Sequence, residues 1–133
     1  MKILLSDHYW GGLRATASPA RMFEVFSVAM SIHSNSHLGI SLMAMTHATA
    51  ATPNLNYACD THYPWQEDEV IQSGRITFHK GSVMMLAMPG LGAEIDPAHL
   101  KKLYRQYLDC GVRNDLAQMR KYDPGFPGVF PRF

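Results

Sequence analysis

Two histidines and two aspartates stand where a binding or catalytic site could be built. Asp7 ends "KILLSD", His33 follows "SVAMSI", and Asp60 with His62 follows "LNYAC". A neutral imidazole can take a proton near neutral pH, and a carboxylate on its other nitrogen fixes the tautomer and makes it more basic. His33 is therefore a candidate general base, and Asp7 is the candidate carboxylate that orients it. The position of His33 alone is equally consistent with a loop histidine bonded to backbone.

A metal site is the other chemistry that "SIHSNSHLGIS" suggests, because His33 and His37 are four residues apart. The familiar two-histidine zinc motif carries a Glu directly after its first histidine, whereas Ser34 takes that place here. The residues therefore disfavour a metal site. Ser34 and Asn35 could present hydroxyl and amide groups to a polyhydroxylated ligand, although both are also ordinary helix-capping residues.

Two further segments are candidates for binding a ligand. The loop "CDTHYPWQ" places three polar residues, His62 among them, directly before Tyr63 and Trp65, which we expect to form an apolar wall. In "CGVRND", Arg113 could pair with a carboxylate through two hydrogen bonds. The alternative for Arg113 is an exposed side chain paired loosely with Asp115.

The elements that must position these residues alternate between strand and helix patterns. "KILLS" predicts a buried strand that ends at Asp7, and "SVAMSI" predicts a second strand that ends just before His33. Between them, Ser18 and Pro19 predict the N-cap and first turn of a helix. "LGISLMAMTHATAA" predicts a buried helix, and "LNYAC" predicts a third strand that ends at Asp60. This β-α-β-α-β order predicts a parallel sheet with right-handed crossovers.

The polar candidates share one position relative to the predicted strands. Asp7, His33 and Asp60 follow the carboxyl ends of successive strands, at separations of 26 and 27 residues. In parallel α/β sheets the carboxyl ends of the strands meet at one edge, where binding and catalytic sites are built. The spacing also suits consecutive βα units of a barrel, although three strands cannot close one.

The second half of the chain has a different pattern. We predict residues 1–69 as the strand and helix region and residues 70–133 as a separate C-terminal segment. Within that segment, "GRITFHKGSVMMLAM" predicts two short strands joined at "HKGS". Asp96 and Pro97 predict the start of a helix that ends at Gly111.

Composition limits the classes of function. The chain has 133 residues, 47% hydrophobic and 17% charged, which predicts one globular domain or a piece of a larger one. A net charge of +1 without a basic stripe disfavours nucleic-acid binding. Only Cys59 and Cys110 are present, and the N-terminal apolar stretch is too short for a signal sequence or a membrane span. We therefore expect a cytoplasmic protein with no membrane partner.

Three segments carry a resemblance to a known family. "LLSDHYWGGLRAT", "SIHSNSHLGISLMAMTHATAATPNLNYACDTHYPWQ" and "PGLGAEID...YLDCGVRND" resemble the C-terminal part of glucarate dehydratases, which are members of the enolase superfamily (mandelate racemase/muconate lactonizing enzyme-like). The resemblance implies an α/β fold: the last three βα units of a TIM-type (β/α)7β barrel, followed by a C-terminal hairpin and helix. It implies a C-terminal fragment of a Mg²⁺-dependent lyase that removes the proton α to a carboxylate of an acid sugar such as D-glucarate and expels water.

The resemblance also assigns roles to residues. It implies that His33 acts as general base and acid with Asp7 orienting it, and that Asn35, His62 and Arg113 are substrate-binding positions. Ser34 remains a substrate-binding candidate from its residue type and place in the loop. The family also uses a Lys-x-Lys base and Mg²⁺ ligands on earlier strands, and these have no counterpart in this chain. We therefore expect the chain alone to be inactive. The alternative is a non-catalytic sugar-acid-binding or assembly module that forms a homo-oligomer or associates with the missing N-terminal part.

Overall fold

The computed structural model describes residues 3–7, 12–34, 37–85 and 88–110, without the side chains of Asp7 and Cys110. In chain order the elements are β1 (Ile3–Asp7), α1 (Gly12–Val25), β2 (Ala29–His33), α2 (Gly39–Ala50), a 3₁₀ turn (Tyr63–Trp65) and α3 (Pro97–Cys110). The chain divides into two compact units, Met1–His99 and Leu100–Phe133. The division predicted between residues 69 and 70 stays a prediction. Within the described ranges, no helix is long and apolar enough to cross a membrane.

β1 and β2 form a parallel pair connected by α1. The register places Ile3 opposite Ala29 and Asp7 opposite His33, so both strands end at the same edge. The strands predicted around Asp7 and His33 are confirmed, except that His33 is the last residue of β2 and does not follow it. β1 was predicted to be buried, and this is wrong. The side chains of Ile3 and Leu5 are 51% and 59% exposed, because β1 pairs only with β2 among the described residues.

The predicted third strand is wrong as a regular strand. Among the described residues of "LNYAC", only Leu55 forms a ladder bridge, parallel to Met30. Side chains replace much of the ladder: Ser31 Oγ donates to Ala58 O at 2.9 Å, and Asn54 Nδ2 donates to Val28 O at 3.2 Å. The segment therefore follows β2 closely enough to bring Asp60 beside His33.

The predicted start of α1 is also wrong. The helix begins at Gly12, and Pro19 lies inside it. Pro19 has no N–H to donate to the preceding turn, which makes proline unfavourable inside a helix. Packing outweighs that cost, because Thr16 and Ala20 form the buried face of α1 on both sides of the proline.

The end of α1 aims the chain into β2. Ser27 adopts a left-handed φ of 52°, a conformation usually left to glycine. The Ser27 N–H donates to Glu24 O at 3.0 Å, and the Val28 N–H donates to Phe23 O at 2.8 Å. These two bonds form the paired arrangement that commonly closes a helix. The chain can then pass from α1 through Val28 directly into β2.

The hydrophobic core lies between β2, α2 and the 3₁₀ turn. Its buried members are Ile32, Leu42, Met45, Ala48 and Tyr63. The predicted buried helix is thus confirmed as α2, whose apolar side chains pack on the strand that ends at His33. A packed core directly beneath His33 restricts the backbone at the end of β2.

Residues 70–96 contain less regular structure than predicted. The two strands predicted around "HKGS" are wrong among the described residues, since only His79 and Ser82 bridge. Lys80 and Gly81, both with positive φ, form the tight turn between them. The predicted start of α3 is confirmed: Asp96 Oδ1 accepts the Ala98 N–H at 2.8 Å, and Pro97 is the first helical residue. The predicted terminator, Gly111, lies outside the described residues.

Candidate functional site

His33 and Asp60 form the centre of the site. Their side chains are joined by a hydrogen bond of 2.7 Å between His33 Nδ1 and Asp60 Oδ2. The other oxygen of the carboxylate, Oδ1, accepts the Ser34 N–H at 3.2 Å. His33 is the last residue of β2 and Asp60 follows the segment that runs beside it, so the pair lies at the carboxyl edge of the sheet. Both side chains are partly exposed, and a ligand can reach them.

The Asp60 carboxylate determines which ring nitrogen of the neutral imidazole carries its hydrogen. Burial acts to raise the pKa of Asp60, but the hydrogen bonds from His33 and the Ser34 N–H, together with the His33 charge, lower it below the ordinary value for an aspartate. Asp60 is therefore ionised at neutral pH, and its Oδ2 accepts the hydrogen bond that His33 Nδ1 donates. This leaves Nε2 of His33 as the nitrogen that can take a proton from a ligand.

Asp7 lies next to His33 through the sheet. The register pairs Asp7 with His33 directly across the β1–β2 ladder. The side chain of Asp7 is outside the described part of the chain, so its role as the orienting carboxylate stays a prediction. The carboxylate that the structure places on His33 is that of Asp60, which sequence reasoning assigned only to a ligand-facing loop. The signal that could have found it was its position after the third predicted strand.

His62 lies on the same edge as His33. The two rings are 6.4 Å apart between centroids and nearly perpendicular, and His62 also stacks on Trp65 with 5.4 Å between centroids. The predicted apolar wall is half right. Trp65 is exposed beside His62, whereas the ring of Tyr63 is buried in the core.

The ring of His37 lies beneath the site and contacts two hydroxyl groups. It is buried, with Nδ1 3.0 Å from Ser41 Oγ and Nε2 3.1 Å from Thr61 Oγ1. Both ring nitrogens therefore face hydroxyl groups. Across the described ranges, no group of three His, Cys, Asp or Glu residues is placed to hold a metal ion.

The remaining predicted positions differ in how far they can be placed. Ser34 is fully buried, and within the described residues its Oγ makes no hydrogen bond. A buried hydroxyl without a partner costs about 1–3 kcal/mol, which a bound polar group would remove. Asn35 and Arg113 lie outside the described residues. The substrate-binding roles predicted for Ser34, Asn35, His62 and Arg113 stay predictions.

The chain matches known proteins along most of its length. A family model described as enolase C-terminal domain-like matches residues 3–99. The chain belongs to this family. It is also 47% identical over 129 residues to a "probable glucarate dehydratase" of Streptomyces coelicolor, an alignment that covers 93% of this chain and 30% of that protein. The family resemblance noted in the sequence is therefore confirmed, and the chain spans about 30% of the length of this relative.

Solved structures of the enolase superfamily agree with this assignment. An enolase from Pseudomonas fluorescens Pf0-1 with bound magnesium, potassium and tartrate has a TM-score of 0.87 and 54% identity, covering all of this chain and 32% of that one. An enolase from Mycobacterium smegmatis complexed with tartrate has a TM-score of 0.87 and 51% identity, covering all of this chain and 33% of that one. The α/β class of the fold is thereby confirmed.

Proposed function

We propose that the chain is the C-terminal part of an acid-sugar dehydratase, forming the last three βα units of a (β/α)7β barrel. Its substrate would be D-glucarate or an epimer, converted to a keto-deoxy diacid. The observation that carries the proposal is the hydrogen bond of 2.7 Å between His33 Nδ1 and Asp60, at the carboxyl edge of a parallel sheet. The similarity to a "probable glucarate dehydratase" supports the choice of substrate.

The chemistry follows from the state of His33. Nε2 takes the proton from the carbon α to a carboxylate, and ionised Asp60 on Nδ1 stabilises the imidazolium that forms. The bond from the β-carbon to its hydroxyl then breaks, and the hydroxyl leaves as water with the proton that His33 returns. The resulting enol rearranges to the ketone. Asp7, on the neighbouring strand, is a second carboxylate that would favour the imidazolium.

Magnesium would support this reaction from outside the described residues. Magnesium is bound in the Pseudomonas fluorescens enolase. The described residues of this chain form no group of three ligands that would hold the ion, so we propose that it is held by other parts of the enzyme. When bound, it supplies electrostatic stabilisation of the enediolate.

A chimaera tests the proposal. The segment of the Streptomyces coelicolor relative that aligns with this chain would be replaced by this chain, and the product would be assayed with D-glucarate and Mg²⁺. We expect keto product, and we expect His33→Ala to reduce kcat by at least about 100-fold, as for the loss of a general base. The 133-residue chain alone should give no product.

The exposed His79 provides the control for this experiment. It lies at the tight turn, and His79→Ala should keep the activity of the chimaera. Equal activity of the His33→Ala and His79→Ala chimaeras would contradict the assigned base. A folded chimaera that does not turn over D-glucarate, beside an active parent relative, would contradict the substrate.

Exposed apolar surface favours a second candidate, an assembly module. Besides Ile3 and Leu5 on β1, Val25 and Phe26 at the end of α1 are 80% and 71% exposed. Large apolar side chains grouped on one strand and its following helix typically mark an interaction surface. We propose that this surface binds the N-terminal part of the barrel or a second copy of the chain.

A further inference from the structure

The helix that follows His33 begins without a cap of its own. α2 starts at Gly39, and the preceding Leu38 makes no side-chain capping hydrogen bond. Instead, the Gly39 N–H donates to Glu69 Oε1 at 3.0 Å, across 30 residues of sequence. A carboxylate at this position satisfies an N–H that has no partner within the helix and interacts favourably with the helix dipole. Glu69 therefore does for α2 what a local Ser, Thr or Asp does for most helices.

The Glu69 carboxylate is itself held by several donors. The Val70 N–H donates to Oε1 at 2.7 Å, and the Tyr63 hydroxyl donates to Oε2. The same hydroxyl accepts the Ile76 N–H at 2.9 Å. A Cβ on Gly39 would lie 2.8 Å from Glu69 Oε2, so the close approach of the helix to this carboxylate requires glycine. The contact between Glu69 and α2 is thus fixed from both sides.

Among the described residues, this contact is one of four hydrogen bonds between residues 33–39 and residues 60–69. They are His33 Nδ1 to Asp60 Oδ2 at 2.7 Å, Ser34 N to Asp60 Oδ1 at 3.2 Å, His37 Nε2 to Thr61 Oγ1 at 3.1 Å, and Gly39 N to Glu69 Oε1 at 3.0 Å. The first two bonds are those of the candidate site. Because the connection is short, a shift at the start of α2 would move the residues that bond Asp60.

We propose that Glu69 is a positioning residue for the His33–Asp60 pair. Its carboxylate fixes the start of α2. This in turn maintains the hydrogen bonds to Asp60 from the His33 ring and from the Ser34 backbone N–H. The consequence for catalysis rests on the proposed function, but the positioning does not, and it can be measured without turnover.

The pKa of Asp60 reports this positioning. Burial acts to raise it, and the bonds from His33 and the Ser34 N–H outweigh burial and lower it. The measurement is a ¹³C-carboxyl NMR titration of the 133-residue chain, with the Asp60 signal assigned by its loss in Asp60→Asn. We expect Glu69→Ala to raise the pKa of Asp60 toward that of an ordinary aspartate. Removing a negative charge without moving the connection would lower this pKa, so the sign of the shift separates the two effects.

Two variants control for charge. Glu69→Gln keeps an oxygen that accepts the Gly39 N–H, and it should restore the low pKa of Asp60. Glu67→Ala removes an exposed carboxylate two residues earlier and should not raise that pKa.

Three results would overturn the proposal. One is a pKa of Asp60 that Glu69→Ala leaves unchanged or lowers. Another is a pKa of Asp60 in the unsubstituted chain that equals that of an ordinary aspartate. The third is a Glu69→Ala chain whose amide NMR spectrum loses its dispersion, which would mean that the chain has unfolded. If the shift occurs while the chimaera has no dehydratase activity, the proposed function fails and the positioning stands.

Discussion

The hydroxyl of Tyr63 couples the core to the segment that carries Glu69. The side chain is 1% exposed, donates to the Glu69 carboxylate and accepts the Ile76 N–H. Burial, and then the hydrogen bond to Glu69, raise the pKa of Tyr63 from 10.0 to about 12, while the Ile76 N–H and Arg75 act in the opposite direction. A phenolate is therefore more costly in the folded chain than in the unfolded chain.

This difference predicts how Tyr63 contributes to stability at alkaline pH. Because the folded pKa is the higher one, the contribution is complete below pH 10 and is lost as pH rises through about 12. The difference in unfolding free energy between the wild type and Tyr63→Phe should shrink by up to about 3 kcal/mol over this range. Urea denaturation at several pH values measures it. The exposed Tyr107→Phe should follow the wild type, and a Tyr63→Phe difference that is constant with pH would contradict the prediction.

At the scale of the element, we expect a Gly-to-Ala substitution at the start of α2 to destabilise the helix. Replacing Gly by Ala in a helix ordinarily stabilises it, by up to about 1 kcal/mol. On Gly39 the new Cβ would lie 2.8 Å from both Glu69 Oε2 and Ile71 Cδ1. We expect Gly39→Ala to lower the free energy of unfolding by about 1–3 kcal/mol, the usual cost of overpacking. Chemical denaturation followed by far-UV circular dichroism measures the change.

A double-mutant cycle assigns that cost to Glu69. In a Glu69→Ala background two of the three close contacts of the new Cβ, those to the carboxylate oxygens of Glu69, are removed, so Gly39→Ala should cost less than it does in the wild type. Costs that simply add would mean that the carboxylate and the helix start are independent.

Elements with a local signal could be predicted from the sequence. The strand before Asp7 and the apolar helix after His33 follow from short runs of side chains whose pattern is independent of distant residues. The start of α3 was equally accessible, because Asp96 accepts hydrogen bonds from residues two and three positions later. In each case the deciding interaction lies within the element or beside it.

Elements decided by distant contacts could not be predicted. Pro19 is a local signal for a helix start, and packing of the turns on either side overrides it. Among the described residues the third predicted strand forms one ladder bridge, and the side chains of Ser31 and Asn54 bond backbone carbonyls across 27 and 26 residues. At the site, the pattern located Asp60 on the correct edge. It could not show that Asp60 bonds His33 across 27 residues, or that Glu69 caps α2 across 30.

At the scale of the whole molecule, β1 and the end of α1 expose apolar side chains of a kind that other parallel α/β proteins bury. Strands of parallel sheets are usually covered on both faces, whereas Ile3 and Leu5 of β1 are exposed here. Burying one such side chain fully stabilises a protein or a complex by about 1.5–3 kcal/mol. The Streptomyces coelicolor relative, of which this chain spans 30%, contains enough additional chain to supply a partner for this surface.

Assembly with the remainder of that relative is therefore the last prediction. Its N-terminal segment, mixed with this chain, should give a 1:1 complex by size-exclusion chromatography with light scattering, in which both parts resist proteolysis better than either does alone. Leu5→Lys should abolish the complex, because a charge buried without a partner costs more than the contact contributes. Thr77→Lys, at an exposed position outside β1, should leave it intact. Equal binding by the Leu5→Lys and Thr77→Lys chains would show that β1 is not the binding surface. If a second copy of this chain binds there instead, the chain alone would form a homo-oligomer that Leu5→Lys dissociates.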